Sequence, residues 1–254
     1  MAHTGLDVRE FVSRILDLAA TDSSRAWQTL VSDLGVLEVG EYPRSVVACH
    51  HGRGHLDAGR LTGRWPGVVG ARQAHWLILP ARDTMAHRVL VSRKDATIEA
   101  TGGYAALDGA GVADVTVTDL AVDPTRIVGG GADAGVLAAA GAAAVVVGSA
   151  NGLWHSHVER LRTQLASSSD AITDAVAAQV AAAASDIDAA RLQITELSSY
   201  RQAIARARAA ADRLLEHSRH ALDASHPVTL RWREVDLGSR LAVRVLDGLS
   251  TQLG

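Results

Sequence analysis

The spacing of apolar residues changes twice along this chain, and the changes predict its elements. Between residues 6 and 39, Val8, Phe11, Val12, Ile15, Leu18 and Ala19 recur at three- and four-residue intervals, the spacing of one helix face. Asp22, Ser23 and Ser24 offer oxygen acceptors to cap a second helix, whose apolar stripe is Trp27, Leu30, Val31 and Leu34. Gly35 and Gly40 end that signal. From 45 to 127 the period becomes two. SVVAC, LILPA, HRVLVS, ATIEAT and ADVTVTDLAV read as strands, parted by glycine-rich turns at Gly52–Gly54, Gly102–Gly103 and Asp108–Gly111. Short strands without helices between them predict an antiparallel barrel or sandwich and exclude a doubly wound nucleotide-binding sheet. Beyond 135 the helical period returns in alanine-rich segments over 136–165, 169–197, 200–222 and 228–249. Ser169–Asp170 and Pro227 mark boundaries between them. Four such helices with short connections predict an antiparallel bundle.

The expected plan is therefore α+β, with a reduced helical segment over 1–42, an antiparallel β-barrel domain over 43–128 and a four-helix bundle over 129–254. With 48% hydrophobic and 21% charged residues the chain can bury a core. Its 25 Lys and Arg against 28 Asp and Glu leave a net charge of -3, too balanced for a nucleic-acid binder. A single cysteine, Cys49, permits no internal disulfide. The first ten residues carry Asp7, Arg9 and Glu10 where a signal peptide needs an apolar core, which predicts a cytoplasmic protein. The longest apolar stretch, over 136–150, has about 15 residues and falls short of a membrane span. Its small and apolar residues occupy nearly every helix face as far as 153, which predicts a buried subunit interface.

Candidate chemistry is sparse. Gly129–Gly131 reads as an interdomain turn, or as a phosphate approach at a helix start. Among 11 histidines, His50, His51 and His55 lie in a glycine-rich stretch, while His155 and His157 are two apart on a helix and face apart. No ligand pattern completes a metal site around either set. Ser149, His155 and Asp170 hold the atoms of a triad, but a serine inside a helix bonds back to its own chain. Cys49, in an apolar strand, reads as a small core residue. Trp65, Trp76 and Trp154 either fill the core or stack on a planar cofactor. Glu234, Asp236 and Asp247 are acid–base candidates near the end of the chain, with ion pairing as the plainer reading.

Three phrases in order carry a resemblance. GRWPGVVGARQAHW, from Gly63 to Trp76, places Gly63, Trp65, Gly70, Ala74 and Trp76 in register with a G-x-W-x-x-x-S-G-x-x-x-A-x-W pattern. DVTVTDLAVDP closes the strand region from Asp114 to Pro124, and WREVDLGSRLA over Trp232–Ala242 follows a W-R-D-x-x-x-G-x-x-x-A pattern. In this the chain resembles the acyl-CoA dehydrogenase family, especially its actinobacterial homologues and the related flavin-dependent hydroxylases. The resemblance implies FAD, an acyl-CoA ligand and assembly into a homodimer or a heteromer with a homologous chain. It also places the flavin ring near Val68, Val69 and Gly70.

Several departures accompany the resemblance. The family's N-terminal domain has more helices than fit before Tyr42. Its flavin-facing serine is Val69 here, and the hydroxyl-bearing residues before Asp114 are Ala110, Gly111 and Val112. After Arg160 and Arg162 no arginine–phenylalanine–glycine phrase follows to reach a neighbour's FAD, and the late histidine of the hydroxylases aligns with Leu241. These departures point to a subunit that is non-catalytic alone, or that shares a flavin site with a fuller homologous partner. A self-sufficient FAD-dependent acyl-CoA dehydrogenase and a flavin-free enzyme or binding protein on the same scaffold are the alternatives.

Overall fold

Local capping starts the chain's first two helices. Asp7 accepts the Arg9 N–H at 2.9 Å ahead of α1 (Val8–Thr21), and Asp22 accepts the Arg25 N–H at 2.9 Å ahead of α2 (Ser23–Val39). α1 buries Phe11, Val12, Ile15, Leu16 and Ala19, the face its periodicity predicts. The computed structural model describes residues 7–40, 44–100, 102–129, 132–167, 173–195, 199–216, 223 and 225–252. Ser169, Asp170, Gly130 and Gly131, on which some sequence expectations rest, lie outside the described residues.

Among the described residues eight strands follow: β1 (Val46–Ala48), β2 (Arg53–Asp57), β3 (Arg60–Val68), β4 (Trp76–Arg82), β5 (Ala86–Ser92), β6 (Thr97–Glu99), β7 (Ala113–Ala121) and β8 (Ile127–Val128). They form one sheet in the order β6-β7-β3-β2-β4-β5-β8, with β1 beside β4. Two expectations need correction here. The sheet is not a closed barrel: β6 and β8 end the order and do not pair with each other among the described residues. Nor is it purely antiparallel, because β1 and β2 both run parallel to β4, with Val46 opposite Trp76 and His55 opposite Arg82. β1 and β2 are two pieces of one extended run along β4. The Cys49 N–H still bonds to Ile78 O at 2.9 Å, after which the chain leaves the ladder and meets β4 again at His55, opposite Arg82.

The hairpin of β2 and β3 was not expected, since Gly52–Gly54 reads as a turn. Trp65 explains those glycines. A Cβ at Gly52, Gly54 or Gly63 would lie 2.5, 2.5 or 2.6 Å from its indole atoms, so the backbone there serves as the floor under a large ring. The indole is fully buried and donates to Pro80 O at 3.0 Å. Ala58 and Gly59, both at positive φ, make the two-residue turn.

The helices α3 (Ala132–Ser167), α4 (Asp174–Thr195), α5 (Tyr200–Glu216) and α6 (Pro227–Gln252) overlap the four expected segments. Residues cluster into two compact units, 1–26 with 143–240, and 27–142 with 241–254, so α2, α3 and α6 are each divided between them. In the first unit α1 joins the C-terminal helices, and the four do not form a body of their own. There the Trp154 indole donates to Val180 O at 3.0 Å, Arg213 reaches Asp186 at 2.6 Å and the Trp232 indole reaches Asp212 at 2.7 Å. The second unit contains the sheet with the remaining parts of α2, α3 and α6.

α3 is long and apolar enough to cross a membrane by length and composition, yet 89% of its most apolar stretch is buried inside the protein. Gly148 and Gly152 show why its residues are small. A Cβ at either would stand 2.3 Å from Leu16 O or 2.1 Å from Ala20 O, on the backbone of α1. The small faces of α3 are thus covered by the chain itself, and they give no reason for a subunit interface.

Candidate functional site

Where the chain leaves the ladder after β1, three polar side chains are buried in succession: Cys49, His50 and His51. Each has a partner. Glu38, on α2 with its side chain wholly buried, receives Arg88 of β5 through two hydrogen bonds of 2.7 Å and His50 Nε2 at 3.1 Å. Arg88 also donates to Cys49 O at 2.5 Å. Burial alone would raise the Glu38 pKa, but the His50 and Arg88 donors outweigh it and bring it down to about 2. Burial and the Arg88 charge lower the pKa of His50, so its neutral ring donates to the carboxylate.

The Cys49 Sγ lies 3.7 Å from His51 Nδ1 and 3.2 Å from His51 O, and His51 Nε2 lies 2.8 Å from Pro66 O. A carbonyl only accepts, so Pro66 fixes the Nε2–H tautomer and leaves Nδ1 to the sulfur. Burial pushes the thiol's pKa up, and His51 together with the Arg88 charge more than reverses this to hold it below its ordinary value. Burial depresses that of His51, and the adjoining Cys49 raises it on balance.

A third cluster surrounds Asp114 at the start of β7. It accepts from Gly67 N–H and from Tyr104 O–H at 2.9 Å each, and from Arg64 at 3.1 Å. Burial raises its pKa, and these donors bring it below the usual carboxylate range. Arg244 of α6 approaches Tyr104 Oη and Pro66 O at 3.3 and 3.4 Å.

Val69 and Leu241, both singled out in the sequence, line one cavity of about 20 Å³ with Trp27, Cys49 and His51. Val68 ends β3 opposite Ala113, and both valines are buried. Gly70, at φ +75, donates its N–H to Ala110 O at 2.9 Å, and Arg72 donates its own to Gly111 O at 3.2 Å. Such a cavity holds one or two oxygen-sized atoms. Together with the apolar side chains and amides already bonded within the chain, this does not fit a flavin ring.

Other candidates fall elsewhere. Trp65 is core, Trp76 lies under the Arg126 guanidinium at 5.5 Å, and Trp154 ties two helices. His55 sits on β2 and exposed His155 meets the Trp154 ring, while His157 is buried on α3. Among the described residues no three His, Cys, Asp or Glu side chains gather as metal ligands. Ser149 bonds back to Val145 O at 2.7 Å and meets Ser23 at 2.8 Å; Ser23 in turn donates to Glu234 at 2.8 Å. Burial raises the Glu234 pKa. Asp236 pairs with Arg208 and Arg240, and Asp247 is exposed on α6. Sequence reasoning passed over Glu38, Arg88 and Tyr104. A signal for the first two existed: the Cys-His-His run directly follows an apolar strand, so its polar atoms need buried partners.

No family model and no curated protein matches the chain. Solved structures do. The HsaA monooxygenase from M. tuberculosis superposes with a TM-score of 0.75 at 22% identity, covering 98% of this chain and 84% of that one. The ChsE4–ChsE5 complex from Mycobacterium tuberculosis gives 0.74 at 18%, covering 97% and 80%. XiaF from Streptomyces sp., solved in complex with FADH2 and glycerol, gives 0.69 at 19%, covering 98% and 81%. The chain shares the acyl-CoA dehydrogenase-like fold of these proteins.

Proposed function

We propose that this chain is an acyl-CoA dehydrogenase-like subunit, non-catalytic alone, that works beside a fuller homologous chain carrying the flavin and the acyl-CoA. One observation carries the reading. The position that resembles a flavin contact, Val69, and the position that resembles a proton-transferring histidine, Leu241, are both apolar and share a cavity of about 20 Å³. Leucine moves no proton, and valine offers no hydrogen bond to a ring nitrogen or carbonyl. That ChsE4–ChsE5 is a complex of two named chains supports pairing within this fold.

Val68, Val69 and Gly70 do not fit a flavin ring as they stand; in an assembly that shares an FAD with this chain, the ring would lie against them only after rearrangement, and the partner would supply an arginine to the phosphates. The 3-10 segment Gly102–Ala110, which holds Gly70 through Ala110 O, must then give way. A homodimer is the other assembly this reading admits. The test is an FAD titration of the purified chain, alone and with a co-expressed homologous chain from its genomic neighbourhood. The isolated chain is expected to bind no FAD tightly, and the pair to show the visible flavin absorbance. A Kd below about 1 µM for the isolated chain would overturn the reading in favour of a self-sufficient flavoenzyme.

A further inference from the structure

The cavity beside Val69 has polar features that the subunit reading leaves unused. Trp27 lines it, is 1% exposed, and among the described residues its indole N–H has no hydrogen-bond acceptor. Leaving a buried donor unsatisfied is costly, so the position favours a small oxygen acceptor supplied from outside the chain. The same cavity is lined by Cys49, the chain's one cysteine, and by His51. Beyond them its walls include Leu30, Val31 and Leu34 of α2 and Val245 of α6. Cys49, His51 with its tautomer set by Pro66 O, and Trp27 with its unsatisfied donor therefore line one space for one or two oxygen-sized atoms.

We propose that this cavity is a reaction site for hydrogen peroxide, in which Cys49 is oxidised to the sulfenic acid. One peroxide oxygen accepts the Trp27 N–H. The thiol proton passes to His51 Nδ1, and a sulfur lone pair attacks the other oxygen. The S–O bond forms as the O–O bond breaks. The departing hydroxide takes the proton back from Nδ1 and leaves as water, so that Cys49 Sγ–OH and neutral His51 remain. Sulfur loses two electrons and the peroxide gains them.

Arg88 favours the thiolate, while its charge and Arg244 disfavour protonation of His50 and His51 respectively. Glu38 pairs with Arg88 and His50, and the thiolate offsets the effect of Arg244 on His51. A thiol activated in this way reacts at neutral pH, where an ordinary buried thiol is inert.

The experiment treats the folded full chain with hydrogen peroxide, removes the excess with catalase, then unfolds the chain in urea containing dimedone, which traps the sulfenic acid, and follows the intact mass. Wild type is expected to gain one adduct, and Cys49→Ser none. His51→Gln should slow labelling by about tenfold or more at neutral pH, with the gap closing at alkaline pH where the thiol ionises unaided. Trp27→Phe should slow it by a few-fold without moving the pH profile. Circular dichroism checks that each variant is folded. A second comparison needs no variant: bulky cumene hydroperoxide should label the chain unfolded in urea but not the folded chain, whereas hydrogen peroxide labels both. Absence of an adduct on folded wild type, a wild-type rate in folded His51→Gln, or equal labelling of the folded chain by both peroxides would each overturn the proposal.

Discussion

Gly248 of α6 faces the backbone of His50 so closely that a methyl group on it would stand 2.1 Å from the carbonyl oxygen and 2.8 Å from the Cα of His51. The end of α6 therefore fixes the stretch that carries Cys49, His50 and His51. Gly248→Ala cannot be absorbed by a side-chain rotation, because the obstacle is backbone. We expect a loss of about 1–3 kcal/mol in urea unfolding. A bulky maleimide should also reach Cys49 faster in this variant, as the stretch is pushed off α6. An unchanged urea midpoint would mean that the two segments are not in contact in solution.

A buried and a half-buried glutamate should respond oppositely to loss of charge. The Glu38 pKa is held at about 2, so its contribution to stability is present above the ordinary carboxylate range and is lost as the pH falls towards 2. Glu38→Gln leaves Arg88 charged and buried without its counter-ion. The expected cost at pH 7 is about 3–5 kcal/mol, and it shrinks on acidification. His50, whose pKa is lowered, adds to the acid sensitivity: its contribution is present above its unfolded pKa and is lost as the pH falls below it.

Glu234 has the opposite sign. Burial raises its pKa, so the protonated form is favoured on folding and that contribution fades as the pH rises through the folded value. Glu234→Gln keeps an acceptor for Ser23 and removes the cost of the charge. It should be neutral or stabilising by up to about 1 kcal/mol at pH 7. Urea titrations of the two variants at pH 7 and pH 4 check both signs.

Restoring a hydroxyl at the resembled flavin contact should not restore flavin binding. Val69 is buried in a cavity wall shared with Leu30, Val31 and Leu34 as well as Cys49 and His51, so Val69→Ser gives up apolar packing and still leaves the space too small for a flavin ring. We expect unfolding to become easier by about 1–3 kcal/mol. FAD affinity of the isolated chain should stay unchanged in a titration followed by flavin fluorescence. A large gain in affinity would show that the missing hydroxyl, rather than the lack of space, had been decisive.

Much of the fold was legible because burial is periodic. Phe11, Val12 and Ile15 announce α1, and the near-continuous apolar runs of β4 and β5 announce buried strands. β2 and β3 were illegible for a specific reason. Their glycines answer to Trp65, a partner distant along the chain, and local pattern reads glycine as a turn. Compact units were equally hidden, since the period changes where the element type changes, whereas the units part inside α2, α3 and α6. At the candidate site Val69 and Leu241 were found by resemblance, but what surrounds them was not. The pairing of Cys49 with His51 depends on a break in the ladder along β4, and Glu38 reaches Arg88 across about fifty positions of sequence.

An unclosed sheet leaves strands whose outer hydrogen-bonding groups face no neighbour, and such strands can recruit other chains. Here the outermost strands are only three and two residues long, β6 and β8. β6 is polar, with Thr97 and Glu99 exposed, and Pro124 stands just ahead of β8. An incoming peptide would find two or three positions to pair with before the register ran out. The sheet is thus protected against edge-to-edge polymerisation by brevity, without the closure that would have removed its edges altogether.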